Sequence, residues 1–120
     1  MTIFKTALVT ATLIFAFAIA AAAQNNEPMA GGYAKLSTRS VAAKKAATAA
    51  VTQHSASHPK DKVTLVKIVK AEQQVVAGMN YRVCMTVLDH RGIRRSITAV
   101  VYQPIRKKLR LTDWNTGACK

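Results

Sequence analysis

Val63-Thr64-Leu65-Val66-Lys67-Ile68-Val69-Lys70-Ala71-Glu72-Gln73-Gln74-Val75-Val76-Ala77-Gly78-Met79-Asn80-Tyr81-Arg82-Val83-Cys84-Met85-Thr86-Val87-Leu88 is the stretch that decides the fold. Its first part, Val63 to Lys70, is rich in β-branched residues and reads as a strand. From Met79 to Leu88 the period is two. Met79, Tyr81, Val83, Met85 and Val87 share one face, and Asn80, Arg82, Cys84 and Thr86 share the other. Between the strands, Glu72 to Gly78 places apolar residues and a glycine where a tight, exposed connection would be polar. Two readings are open. Either the tip is apolar because it binds something, or Val75 and Val76 continue a strand into the core.

Downstream, Asp89-His90-Arg91-Gly92 reads as a turn closed by glycine. A third strand from Ile93 to Tyr102 stops at Gln103-Pro104, and a shorter one covers Leu109 to Trp114. Upstream, residues 37–53 are alanine-rich. Ser37 or Ser40 offers an N-cap, and Val41, Ala47, Ala50 and Val51 form an apolar stripe opposite Lys44, Lys45 and Thr48. The predicted helix ends in the polar stretch His54-Ser55-Ala56-Ser57-His58-Pro59. A helix followed by an antiparallel meander predicts an α+β domain, with the helix across one face of the sheet.

The chain opens with Lys5 ahead of an uncharged run, Ala7 to Ala20, that ends in Ala21-Ala22-Ala23. This is the pattern of a secretory signal peptide over residues 1–23, and the small-residue end favours cleavage over a membrane anchor. Of 120 residues, 97 then remain, and losing Lys5 lowers the formal charge from +13 to +12. Residues 24–32, with Pro28 and a glycine pair, read as a mobile arm, and 33–120 as the folded domain. The expected location is extracellular, or periplasmic in a bacterium. In such an oxidising compartment Cys84 and Cys119 are expected to be disulfide-bonded, within one chain or between two. Pairing within the chain would pin the tail over the sheet face that carries Cys84.

Catalysis finds no support. No histidine is spaced to activate a cysteine, and the few carboxylates, Glu27, Asp61, Glu72, Asp89 and Asp113, are scattered singly. For zinc, His54 and His58 are four apart, but Ser55, Ser57 and Pro59 are expected to break the helix that would align them, and there is no CxxC. No phosphate-cradling glycine loop is present. The expectation is a protein that is not an enzyme and needs no metal or cofactor.

Gln74-Val75-Val76-Ala77-Gly78 resembles the QxVxG motif of the cystatins, inhibitors of papain-like cysteine proteases, and Met79-Asn80-Tyr81 is similar to the continuation found there. The resemblance covers residues 31–111: a glycine ending a flexible arm, one helix, the motif in the first hairpin, and a second hairpin containing proline. It implies a four- to five-stranded antiparallel sheet wrapped around one helix, with the arm and two hairpins aligned as a wedge. It further implies that Gly31 or Gly32 turns the arm away from the protease nucleophile. Gln74, Val75, Val76, Ala77 and Gly78 would enter the cleft, and Pro104 with Ile105 would cover its far side. The implied function is a secreted, tight-binding but reversible inhibitor, expected to be monomeric. Two features depart from the pattern: Ile105 stands where Trp usually follows the proline in cystatins, and secreted animal cystatins generally carry two disulfides nearer the C-terminus, whereas this chain has only Cys84 and Cys119.

The basic excess gathers at Arg91, Arg94 and Arg95, and again at Arg106, Lys107, Lys108 and Arg110. These predict a solvated surface or weak binding to an anionic partner. With few aromatics between them, specific nucleic-acid binding is not expected. An alternative function follows: a cationic secreted module of the same fold, binding or membrane-active, without protease inhibition.

Overall fold

Ser40 sets the start of the helix. In the computed structural model, which describes residues 32–120, its backbone is extended and its Oγ accepts a hydrogen bond from Ala43 N at 3.1 Å. That bond satisfies one of the donors a first turn leaves unpaired. The helix α1 runs Val41–Ser57, four residues beyond the predicted end at Gln53. Serines lower helix propensity only slightly. Pro59 acts at the residue before it: His58 has left the helical region (φ −128, ψ 73) and caps the helix through its N–H to His54 O at 2.9 Å. The expected signal peptide over 1–23 and the arm as far as Gly31 lie outside the described residues.

The buried stripe of α1 is Ala43, Ala46, Ala47, Ala50, Val51 and His54. It includes three of the four predicted residues and excludes the fourth, because Val41 is 68% exposed. At 100° per residue Val41 falls on the face opposite Ala47 and Ala50, together with Lys45, Thr48 and Thr52. The interior of the helix is thus almost entirely alanine, and small side chains let its axis approach the sheet closely.

The other elements are β1 (Tyr33–Leu36), β2 (Val63–Val76), β3 (Gly78–Asp89), β4 (Arg94–Gln103) and β5 (Arg110–Thr116). They form one antiparallel sheet in the order β1-β2-β3-β4-β5. One helix against a five-stranded antiparallel sheet is the α+β architecture expected. Tyr81, Val83, Met85 and Val87 of β3 and Ile97, Ala99 and Val101 of β4 fill the core beneath α1. Gln53 fixes the helix to β5, its Nε2 donating to Leu109 O at 2.9 Å and its Oε1 accepting from Leu111 N at 2.8 Å.

Only the second half of β2 is covered by β1, through Ala71 to Gln74. Its first half forms a sheet edge, where two register shifts, at Leu65/Lys67 and Ile68/Lys70, interrupt the ladder. Bulges and lysines are devices that keep an open edge from pairing with another chain.

Cys84 and Cys119 are bonded within the chain, Cα to Cα 5.6 Å. Cys84 lies on the outer sheet face, as its strand period predicted, yet it is buried because the tail passes over it.

Candidate functional site

The residues singled out from the sequence converge on one end of the sheet. β2 does not stop at Lys70. It runs through Glu72 to Val76, pairing Val75 with Met79 and Val76 with Gly78, so that Ala77 alone forms the tip. The segment is strand, but it does not enter the core as the second reading of it required: Val75 is 40% exposed and Val76 38%. A strand extended past its helix cover keeps both valines on the surface.

Gly78 locks this tip onto the second hairpin. Its φ is +106°, a left-handed conformation that disfavours side chains, and an added Cβ would stand 2.3 Å from Gln103 O and 3.2 Å from Pro104 Cα. Tyr102 adds a second tie, its hydroxyl donating to Ala77 O. These two contacts tie the hairpins to each other. The second tip, residues 104–109, is closed by Lys107 N donating to Pro104 O at 3.1 Å, with Arg106 in the left-handed region at φ 60°. Ile105 projects from it, 70% exposed.

The arm joins at the same end. Tyr33, the first residue of β1, pairs with Gln74, and Gly32 before it is exposed. Gln74 Oε1 in turn accepts from Asn80 Nδ2 at 3.0 Å. On the outer face, Arg82 is held by Glu72 in a two-pronged ion pair, 3.0 Å at Nε and 2.9 Å at Nη2, and its guanidinium lies 3.9 Å from the Tyr33 ring centre. A planar guanidinium suits both partners at once. Sequence reading did not single out Glu72, Arg82 or Tyr33 for this clamp, since nothing in their spacing shows that three strands would place them side by side. Gly31 lies outside the described residues.

The basic residues divide between the two ends. Arg91 and Arg95 belong to an ionic cluster at the end opposite the hairpins. Arg95 Nη2 reaches Asp61 Oδ1 at 2.6 Å, and Arg91 Nη2 reaches Asp89 Oδ2 at 3.2 Å. Asp61 also takes a bond from His54 Nε2 at 2.8 Å, and His54 is stacked between His58 and Trp114 at ring separations of 4.5 and 3.8 Å. The sequence reading denied His54 and His58 a common alignment, and the structure corrects it: the helix continues and stacks the two rings. Among the described residues, however, no group of three or more potential ligands could hold a metal ion.

Three carboxyls are held below their ordinary values. A hydrogen bond from His54, then Arg95, lowers Asp61; Arg82 lowers Glu72; and the Ile93 and Arg91 N–H groups lower Asp89. A depressed carboxyl contributes stability above its unfolded value and loses it as pH falls through its folded value. The ordinary values here are 3.8 for aspartate and 4.5 for glutamate. Urea midpoints should therefore fall below about pH 4.5, and Asp61→Asn should reduce that acid slope. A midpoint unchanged between pH 5 and pH 2.5 would contradict this account.

A single helix held in a five-stranded antiparallel sheet, with two interlocked hairpin tips and the start of β1 at one end, defines the cystatin class of fold. Comparisons with known proteins agree. Residues 35–115 match the SQAPI family, described as aspartic acid proteinase inhibitor, and the chain belongs to this family of cystatin-like proteinase inhibitors. Its members are inhibitors, not enzymes. A 54-residue stretch is 43% identical to cysteine proteinase inhibitor 8 of Oryza sativa subsp. japonica; it represents 45% of this chain and 43% of the rice protein. The chain is thus matched to less than half the length of that relative. Among solved structures, the salivary cystatin of the soft tick Ornithodoros moubata superposes with a TM-score of 0.58 at 18% identity, over 75% of this chain and all of that one. Mialostatin, a gut cystatin of the hard tick Ixodes ricinus, gives 0.58 at 16%, over 74% of this chain and all of that one. Al-CPI gives 0.59 at 16%, over 72% and all of its chain. At such identities these structures speak for the fold alone.

Proposed function

We propose that the chain is an exported, reversible inhibitor that occludes the cleft of papain-like cysteine proteases. The observation that carries this is the backbone contact of Gly78 with Gln103 and Pro104, which ties the Gln74–Gly78 tip and the second hairpin into one edge beside Tyr33. Val75 and Val76 offer the cleft apolar surface already exposed in the free protein, so little ordering cost is incurred on docking. The arm through Gly31 and Gly32 fills the subsites on one side, and Pro104 with Ile105 covers the other. No peptide bond is offered in attack geometry, so the complex dissociates with the inhibitor uncleaved. The name of the rice relative supports the same target class.

Inhibition of papain and cathepsin-type enzymes, measured with the chain from Gln24, tests the proposal. Replacing Gln74 to Ala77 by Ser-Gly repeats while keeping Gly78 should weaken inhibition by about 100-fold or more, as removal of a central contact does. No inhibition at micromolar concentration would overturn it.

A second reading is favoured by the family description, which names aspartic proteinases. Pepsin-type enzymes belong in the same panel, and inhibition of them that survives the loop replacement selects this reading. Under the papain-type reading, Ile105→Trp should tighten binding about tenfold, because a broad indole at an exposed tip contributes more contact than isoleucine. An unchanged or weaker inhibition constant would show that the second hairpin does not meet the target.

A further inference from the structure

Among the described residues every carboxylate is already engaged. Asp61 and Asp89 are held in the cluster at the far end, Glu72 by Arg82, and Asp113 by Asn115 Nδ2 at 2.7 Å and the Trp114 N–H at 3.1 Å. The ion pairs formed by these carboxylates reach none of six cations that the fold gathers on one face. Lys44 and Lys45 of α1 border one groove with Leu109, while Lys107, Lys108 and Arg110 border another with the same Leu109. Arg106 completes the set on the hairpin between them. None of the six has a carboxylate partner among the described residues. The sequence splits this surface into two parts some sixty residues apart, and the Gln53 bonds to Leu109 and Leu111 bring them together.

Two aliphatic side chains stand out of the same surface. Val41 lines a pocket with Gln103 and Leu109, and Ile105 lies between Gln103 and Leu109 in the chain. At 68% and 70% exposure they are the most exposed large apolar residues described. A soluble polyanion has no use for them. An anionic bilayer does, since its interface accepts aliphatic side chains while its headgroups attract the surrounding cations.

We propose that the face formed by the outer side of α1 and the second hairpin, centred on Leu109, docks on anionic phospholipid membranes with Ile105 and Val41 entering the interface. The contact is peripheral: no described helix is long and apolar enough to cross a membrane. It shares only the second hairpin with the proposed protease wedge and rests on different observations, the gathered cations and the projecting aliphatics.

The test is co-sedimentation of the chain from Gln24 with phosphatidylglycerol-containing and with pure phosphatidylcholine vesicles. That chain keeps every core residue, all of which lie between Leu36 and Trp114, and it lacks the apolar leader. Binding should require phosphatidylglycerol and fall steeply with added salt. Reversing Lys44, Lys45, Lys107 and Lys108 to Glu should reduce partitioning at least 100-fold. The charge-matched reversal of Lys60, Lys62, Lys67 and Arg94 should cost much less, and Ile105→Asn about tenfold. Circular dichroism confirms that each variant is folded. Equal binding to both lipids, equal loss in the two quadruple variants, or an Ile105→Asn variant that binds as the parent does would each overturn the proposal. The last result, together with tight binding to heparin, would assign the face to a soluble polyanion instead. No protease enters the assay, so failure here leaves the inhibitor reading standing, and failure of inhibition leaves this one standing.

Discussion

Gly78→Ala should disable the candidate site and destabilise the domain in one step. The substitution combines two costs. The backbone at φ +106° is strained for any residue with a Cβ, and that Cβ would lie 2.3 Å from Gln103 O, a carbonyl fixed in the β3–β4 ladder. Neither a rotamer change nor a side-chain shift relieves the overlap, because the obstructing atom is main chain. Positive-φ strain and overpacking together should cost about 3 kcal/mol. For a domain of this size, that lowers Tm by roughly 15 °C. The two tips would also be forced apart, so inhibition should fall about 100-fold or more even at temperatures where the variant is folded. Ala77→Gly, one residue away at the tip, should leave Tm nearly unchanged. A Gly78→Ala protein that melts and inhibits like its parent would refute the view that the hairpins form one unit.

Removal of the disulfide should give the opposite profile, a large loss of stability with the site retained. Cys84 pairs across the sheet with Lys70 and Thr98, in the middle of the strands and away from the hairpin tips. The bond to Cys119 closes a 35-residue separation and holds the tail over the outer face, roofing a cavity of about 420 Å³ lined partly by Lys70, Arg82 and Thr98. The double variant Cys84→Ala, Cys119→Ala should lose about 2–4 kcal/mol, largely through the freedom restored to the unfolded chain. Tm should drop by roughly 10–25 °C. Inhibition at 25 °C should stay within about threefold of the parent, because the tail is tied to Lys70, Cys84 and Ser96, away from the hairpin tips. A fall in Tm below about 3 °C, or a site lost while the fold persists, would show that the tail does something other than staple the sheet.

The contrast between these two variants reflects how much of the molecule its sequence made legible. The alternation of Met79 to Val87 against Asn80 to Thr86 was sufficient to assign β3, to orient it, and to place Cys84 on the outer face. That inference is local, since a strand's period assigns its faces wherever the strand lies. The helix phase was less legible. Alanine serves inside and outside alike, so nothing in the sequence preferred Ala43 and Ala46 over Val41 for the core. The Ser40 cap and the close approach to the sheet decided it. The strand Tyr33–Leu36 is too short for a period to register, and it exists because Ala71 to Gln74 pair with it.

By itself, then, the sequence determined one helix before an antiparallel meander, the resemblance carried by Gln74 to Gly78, and the poverty in carboxylates that argues against catalysis. Tertiary structure decided how distant groups combine. It interlocked Gly78 with Gln103, set Arg82 against Tyr33, and sent Arg91 and Arg95 to one end while joining Arg106 to Arg110 with Lys44 and Lys45 at the other. The physical reason is range. Periodicity, capping and turn chemistry act over a few residues and are written in order along the chain, whereas steric contact and charge act through space between segments whose separation in sequence says nothing of their distance.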